Sequence, residues 1–367
     1  MKKTFQMAAV GAAAALLLAA CGDAPAETPA TPGASATTPS GETTSEAAPV
    51  DFKGCMVSDA GGFDDKSFNQ SAYEGLVMAK SQLGIEMSEA ESTAETDFVP
   101  NIDSMVSQGC DLTITVGFLL ADATKESAEQ NTEAHFAIVD DSSIDLPNVK
   151  PIVFNTSEAA FAAGYLAAGF STTGKVATYG GLQIPSVTIF MDGFADGVAH
   201  YNETKDADVE VLGWDKEAQE GTFANSFEDI AAGQNLSKSF IDAGADVILP
   251  VAGPLASGTA TAAQQAGDVV FIGVDADWAE TSPETADVTL TSVLKFMTPA
   301  VFGAIETTVN GEFSAEPYVG TLENDGLGLA PYHEFDGKVS DELKAEVEQV
   351  IADIKSGTIE VTSPSAP

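Results

Sequence analysis

The sequence predicts an α/β protein built from two doubly wound, parallel-sheet lobes with a ligand cleft between them. Three observations carry that reading. At 367 residues the chain exceeds one ordinary domain. Apolar residues are 44% and charged residues 19% of the total, enough to bury a sizeable core. From Phe52 onward, short apolar runs alternate with amphipathic stretches, once in each half of the chain, as strands and helices do in parallel layers.

The first fifty residues read differently. Lys2 and Lys3 precede an apolar run from Met7 to Ala20, so 1–20 reads as a signal peptide, too short to span comfortably. Leu18-Ala19-Ala20-Cys21 is similar to the lipobox of bacterial lipoproteins, which makes Cys21 the expected lipidated N-terminus. Residues 21–50 are rich in Ala, Thr, Pro and Ser without aromatics, which predicts an extended tether.

In the body, strands are expected near Phe52–Asp59, Gly84–Ser88, Asp111–Gly117, His135–Asp140 and Val149–Asn155. A second set is expected near Lys175–Tyr179, Val209–Gly213, Asp246–Val251, Val269–Asp275 and Val288–Val293. Residues 51–155 form the first lobe and 156–293 the second, with a crossover near Asn155–Ser157 and a return somewhere after Val293. Part of 294–335 is assigned to the first lobe, the terminal helix 340–356 to the second, and 357–367 to a tail. Thr298–Asn310 reads as a helix, and Tyr318–Thr321 and Gly328–Phe335 as short strands. Ser67 and Gln70 fit an S-x-x-Q capping box. Phe68, Ala72, Leu76, Ala79 and Leu83 then recur at helical spacing until Gly84 stops the helix.

Charge excludes several functions. The formal net charge is -41, and all 15 basic residues are lysine. Such a chain repels nucleic acid and anionic membrane surfaces, and it lacks the arginine fork that clamps phosphate. His135, His200 and His333 lie in separate segments, and no H-E-x-x-H, G-x-S-x-G, phosphate loop or calcium loop occurs. No catalytic residue, metal or cofactor is expected.

Ligands of open parallel sheets bind beyond the carboxyl ends of the strands. Asp59, Gly117 and Asp140 stand there in the first half, and Gly180-Gly181, Gly253 and Asp275 in the second. Such a set suits a polar, uncharged ligand, although Gly and Asp also terminate strands for purely local reasons. Phe68 and Asn69 open the first helix. The ring offers a stacking plane and the amide a pairing edge, while Phe68 equally fits the core stripe. Pro185 suits the first turn of a helix carrying Phe190 and Phe194 on one face; Phe190, nearer the start, is assigned to the cleft. Lys295, the only lysine between Lys238 and Lys338, is expected to face Asp275 or Asp140, either beside a ligand or as a structural ion pair. Cys55 and Cys110 lie early in strands that a doubly wound order places side by side; they are either disulfide-bonded or two buried thiols.

Taken together, these motifs resemble the basic membrane protein family of lipoproteins, nucleoside receptor-like binding components of ABC importers. The likeness runs from Lys53 to about Val361. Its most specific part is D-x-G-G-x-D-D-K-S-F-N-Q-S-A-x-E-G at Asp59–Gly75. T-V-G-F at Thr115–Phe118, A-I-V-D at Ala137–Asp140, F-x-D-G-F at Phe190–Phe194, P-V-A-G-P at Pro250–Pro254, G-V-D-A-D at Gly273–Asp277 and S-V-L-K at Ser292–Lys295 follow. The resemblance implies a type I periplasmic-binding-protein fold and no enzymatic activity. It implies a purine nucleoside held between Phe68 and Phe190. Asn69 and Asp140 would address its polar edge, Asp275 and Lys295 its ribose hydroxyls, and Asp59, Gly117 and Gly253 the remaining wall. It also implies a monomer on the outer face of the cell membrane, held by lipid alone and working with an ABC permease and its ATPase. A receptor for a sugar or another small polar metabolite is the alternative on the same fold.

Overall fold

A computed structural model describes residues 48–367. The expected signal peptide, Cys21 and nearly all of the expected tether therefore lie outside the described residues.

The first half runs β1 (Lys53–Ser58), α1 (Phe68–Leu83), β2 (Glu86–Ala90), α2 (Phe98–Ser107), β3 (Leu112–Val116), α3 (Ala121–Gln130), β4 (His135–Val139) and β5 (Val149–Phe154). The second half begins with α4 (Ser157–Phe170), β6 (Lys175–Gly180), α5 (Pro185–Lys205), β7 (Glu210–Leu212), β8 (Trp214–Asp215) and β9 (Glu220–Gly221). It continues through α6 (Ile230–Asp242), β10 (Val247–Val251), α7 (Ala256–Ala266), β11 (Val270–Asp275), α8 (Trp278–Thr281) and β12 (Thr289–Lys295). Last come α9 (Met297–Val309), β13 (Tyr318–Gly320), β14 (Leu327–Leu329) and α10 (Asp341–Lys355).

These strands make two six-stranded sheets, ordered β13-β5-β4-β3-β1-β2 and β14-β12-β11-β10-β6-β7. Each contains the doubly wound 2-1-3-4-5 order, whose switch point opens a crevice at the carboxyl ends of the strands. All pairings in the first sheet are parallel; in the second, β14 runs antiparallel to β12. The chain passes between sheets three times: after β5, after β12, and between β13 and β14. Central strands such as β3 and β10 are buried along their whole length, as sheets covered on both faces require.

α4 is buried on every side except at Glu158 and its last two residues, between the second sheet, α5 and α10. It packs on α5 backbone to backbone. A Cβ on Gly164 would fall 2.1 Å from the Phe194 carbonyl oxygen, and one on Gly197 would fall 1.9 Å from that of Phe161. Only the absence of a side chain permits that approach. It fixes α5, which carries Phe190 into the cleft.

The structure departs from the sequence reading in three places. Ser67 is the N-cap of α1, but its side chain makes no cap bond. Asp65 caps instead: its carboxylate accepts from the backbone N–H groups of Ser67 (2.9 Å), Asn69 (2.9 Å) and Gln70 (3.1 Å). A carboxylate accepts several donors at once, whereas a hydroxyl here is drawn to the other lobe. The strand expected over Gly328–Phe335 is confined to Leu327–Leu329, because His333–Phe335 forms a 3-10 turn. The two short strands, whose lobe the sequence left open, become the sixth strand of each sheet, β13 in the first and β14 in the second. The β8-β9 hairpin carries no alternation over its two-residue strands and was not anticipated. Gly84, with φ 72°, ends α1 in the left-handed conformation.

Candidate functional site

The cleft sits where both sheets present their carboxyl ends. About 570 Å³ of space, part of it open to solvent, is lined by Asp59, Asp65, Phe68, Asn69, Gly117 and Asp140 from the first lobe. Phe190, Gly253, Asp275 and Lys295 line it from the second. Every residue assigned a ligand contact therefore borders one cavity; Gly180-Gly181, the remaining strand-end pair, does not, because the Phe223 and Phe227 rings pack against it. Phe194 does not: it is fully buried behind Phe190, one helical turn further along α5.

Local conformation places these groups. Asp140 and Asp275 each terminate a strand with positive φ, 68° and 71°, an arrangement Asp tolerates better than most residues. Gly117 has φ 116°, and a Cβ there would lie 1.8 Å from Asp59 Oδ2. Both sterics and backbone therefore demand glycine beside that carboxylate.

Lys295 is the electrostatic centre, only 3% exposed. Its Nζ donates to Asp140 Oδ2 at 2.6 Å and lies 3.7 Å from Asp275 Oδ1. The same ammonium stands 4.8 Å from the Phe68 ring centroid, 5.5 Å from Phe154 and 5.7 Å from Phe190. One cation thus faces two carboxylates and three aromatic rings. The Lys295–Asp140 pair links the lobes, since Asp140 follows β4 and Lys295 ends β12. A second link comes from the Ser67 hydroxyl, 3.2 Å from both the Val274 carbonyl and Asp275 Oδ2.

Burial holds three of the cleft carboxyls, Asp59, Asp65 and Asp275, toward their protonated forms. Desolvation pushes Asp59 well above the usual carboxylate range, and neighbouring Asp140 and Asp65 add to it against a hydrogen bond from Asn69. Asp275 is pushed up to about 6 by burial, with Lys295 opposing. Asp65 also rises through burial, held back by the donors it caps. Asn69 spends its amide nitrogen on Ala60 O (2.9 Å) and Asp65 Oδ2 (3.2 Å), leaving its buried carbonyl oxygen unpartnered. That oxygen is a ready acceptor for a ligand N–H or O–H.

Several lining residues had no separate signal in the sequence: Phe118, Ser186, Val187 and Phe227. Phe227 lies in an irregular loop that periodicity does not describe. Asp65, expected only as a loop and cap residue, also borders the cavity. Cys55 and Cys110 are joined by a disulfide with Cα atoms 5.9 Å apart, in and just before neighbouring strands β1 and β3. Asp277, Glu280 and His333 assemble outside the cleft, with His333 Nε2 at 2.7 Å from Asp277 Oδ2; no motif or spacing marks that cluster, because His333 lies far along the chain from the two acids. Among the described residues, no helix is long and apolar enough to cross a membrane.

Against known proteins, residues 52–364 match the family model described as ABC transporter substrate-binding protein PnrA-like. The chain is 30% identical over 332 residues to a protein of Lactococcus lactis named ABC transporter nucleoside-binding protein BmpA, covering 86% of this chain and 90% of that one. It is 32% identical over 331 residues to a CD4+ T-cell-stimulating antigen of Listeria innocua, covering 85% and 88%. A solved solute-binding protein of an ABC transporter system from Aeropyrum pernix superposes with TM-score 0.77 at 25% identity, covering 85% of this chain and 94% of that one.

Proposed function

Because the chain belongs to the family of PnrA-like ABC transporter substrate-binding proteins, we propose that its cleft takes up purine nucleosides and that closure of the lobes delivers them to a membrane permease. The family binds solutes outside the cytoplasm and works with a permease; it is not a family of enzymes. The fold is that of type I periplasmic binding proteins.

One observation carries the nucleoside reading. Phe68 and Phe190, from opposite lobes, border one cavity and stand within 6 Å of the same ammonium. A flat heterocycle entering between them gains two aromatic faces, each worth about 1–3 kcal/mol. The ribose supplies hydroxyls that donate to Asp275 and Asp140 and accept from Lys295. Asn69 Oδ1 and a protonated Asp59 offer an acceptor and a donor for the polar edge of the base. Entry of the ligand exchanges the Lys295–Asp140 and Ser67–Asp275 links for ligand contacts, so that the ligand itself bridges the lobes. A cleft holding four acids, one lysine and no arginine disfavours phosphate, so nucleotides are rejected.

Tethering by a lipidated Cys21 is part of the same proposal, supported by the Leu18-Ala19-Ala20-Cys21 sequence. Titration calorimetry of the purified body with adenosine, guanosine and inosine, against their 5′-monophosphates and common sugars, tests the reading. Heat with nucleosides alone supports it. Silence with every purine nucleoside, or equal affinity for the monophosphates, overturns it.

A further inference from the structure

A second cavity adjoins the first and shares Phe118, Asp140, Ser186 and Lys295 with it. Its outer wall is the end of the chain, Pro364 to Pro367, facing the first-lobe loop Asp141–Ser143 and the crossover residue Thr156. The space therefore leads from the buried ammonium of Lys295 outward beneath the chain terminus.

That terminal segment is fastened to the second lobe at three points, although it carries no regular secondary structure. The Ser363 hydroxyl donates to Asp192 Oδ2 at 2.6 Å. Ser365 Oγ lies 2.7 Å from Thr188 Oγ1. Lys216 Nζ donates to the Thr362 carbonyl at 2.6 Å while pairing with Asp196 Oδ2 at 2.5 Å. Ala366 N–H returns to the Ser363 carbonyl, folding the segment into a turn. Asp192 is completely buried, and its other oxygen accepts from Trp214 Nε1 (3.0 Å) and Gln219 Nε2 (2.9 Å) of the β8-β9 hairpin. Thr188, Asp192 and Asp196 are spaced i, i+4, i+8 along α5, so one face of that helix seats the segment. The adjacent face presents Phe190 to the cleft. No hydrogen bond joins 362–367 to the first lobe among the described residues, so the segment moves with α5.

We propose that Thr362–Pro367 is a strap belonging to the binding site: carried on α5, it walls the side exit of the cleft and limits passage to and from the Lys295 floor. The inference builds on the proposed binding function, but access to the cleft can be read without any ligand. Ser186 borders both cavities and makes no side-chain hydrogen bond, so a thiol introduced by Ser186→Cys reports passage beneath the strap.

The experiment measures the rate at which that thiol reacts with a small neutral maleimide. The backgrounds are the full chain, a chain ending at Val361, and a full chain carrying Ser363→Ala with Ser365→Ala. Circular dichroism and melting temperature check that each variant is folded. The strap predicts reaction about tenfold faster in the shortened chain, the low end of the roughly one to three decades over which association rates vary among variants of one interface. The double alanine variant should react at an intermediate rate. Equal rates in all three would overturn the strap, and if the shortened chain fails to fold, the double variant alone decides. Stopped-flow release of inosine from the same proteins without the Ser186→Cys change should accelerate in parallel. Loss of inosine binding by the full chain would refute the nucleoside reading, while the maleimide rates would still decide the strap.

Discussion

Replacing Lys295 by methionine probes the cleft most directly. The side chain is 3% exposed and faces Asp140 at 2.6 Å and Asp275 at 3.7 Å, so the substitution keeps the volume and strands two buried carboxylates. Removing one partner of a buried ion pair costs about 3–5 kcal/mol. Unfolding entropy near 2 cal/mol/K per residue, over the body spanning 48–367, gives roughly 0.7 kcal/mol per degree. The melting temperature at pH 7.5 should therefore fall by about 4–8 °C. The loss must depend on pH. Asp275 is pushed up to about 6 in the folded protein, so the folded state binds more protons than the unfolded one between the ordinary carboxylate value and that point. Its contribution to stability falls as pH rises through that window and is least unfavourable below it. Without Lys295, which opposes the shift, the carboxyl moves higher still, and lowering the pH to 5 lets it take a proton at small cost. Melting curves by circular dichroism of wild type and Lys295→Met at pH 5 and 7.5 should show the gap shrinking at pH 5. An equal gap at both values, or none at 7.5, would refute the assignment of Lys295 as the counter-ion of buried carboxylates.

Other outcomes follow from the same geometry. Phe68→Ala, at a half-buried ring, should weaken inosine binding by about 1–3 kcal/mol in calorimetry while the protein stays folded; Phe190→Ala is the poorer test, since Phe190 is 2% exposed and its truncation costs about 3–5 kcal/mol of core packing. Gly117→Ala places a methyl group against Asp59 at φ 116°, so melting temperature and inosine affinity should drop together, the backbone strain alone costing about 1–3 kcal/mol. Replacing Cys55 and Cys110 by serine opens a loop with a sequence separation of 55, which in the chain-entropy model removes roughly 4 kcal/mol, read as a lower urea midpoint with unchanged ligand stoichiometry. Because ligand donors favour ionised carboxylates and Asp275 titrates near 6, binding at pH 6 should release protons. Calorimetry in two buffers of different ionisation enthalpy reads the sign, and proton uptake would contradict the cleft chemistry.

The strands were legible because parallel sheets bury both faces and write themselves as apolar runs: β3 and β10 have no exposed residue. The cleft residues were legible for a different reason, since strand ends combine Gly, Asp and aromatic residues that the core does not want. What escaped depends on distance rather than on pattern. Ser67 and Gln70 carry the sequence of a capping box, yet Asp275, 208 positions away, competes for the Ser67 hydroxyl and Asp65 takes over the cap. Phe118, Ser186 and Phe227 became lining residues only when two lobes met around them. The seat of the terminal strap on Asp192 likewise joins residues 171 positions apart.

The two sheets have matching strand orders, and the matching extends into the cleft. Asp140 at the end of β4 and Asp275 at the end of β11 share the left-handed conformation. α1 after β1 and α5 after β6 each bring a phenylalanine to the cavity, Phe68 and Phe190. Half a site has in effect been written twice, and two copies of an acidic half-site would repel each other across the gap. Lys295 breaks the symmetry: the corresponding last residue of β5 in the first lobe is Phe154, which is neutral. A single cation, placed on one copy only, serves both carboxylates and draws the lobes toward a common centre. That arrangement needs exactly one lysine in the cleft, and it leaves the pair of rings free to differ from the pair of acids in what they recognise: the rings a flat surface, the acids its hydroxyls.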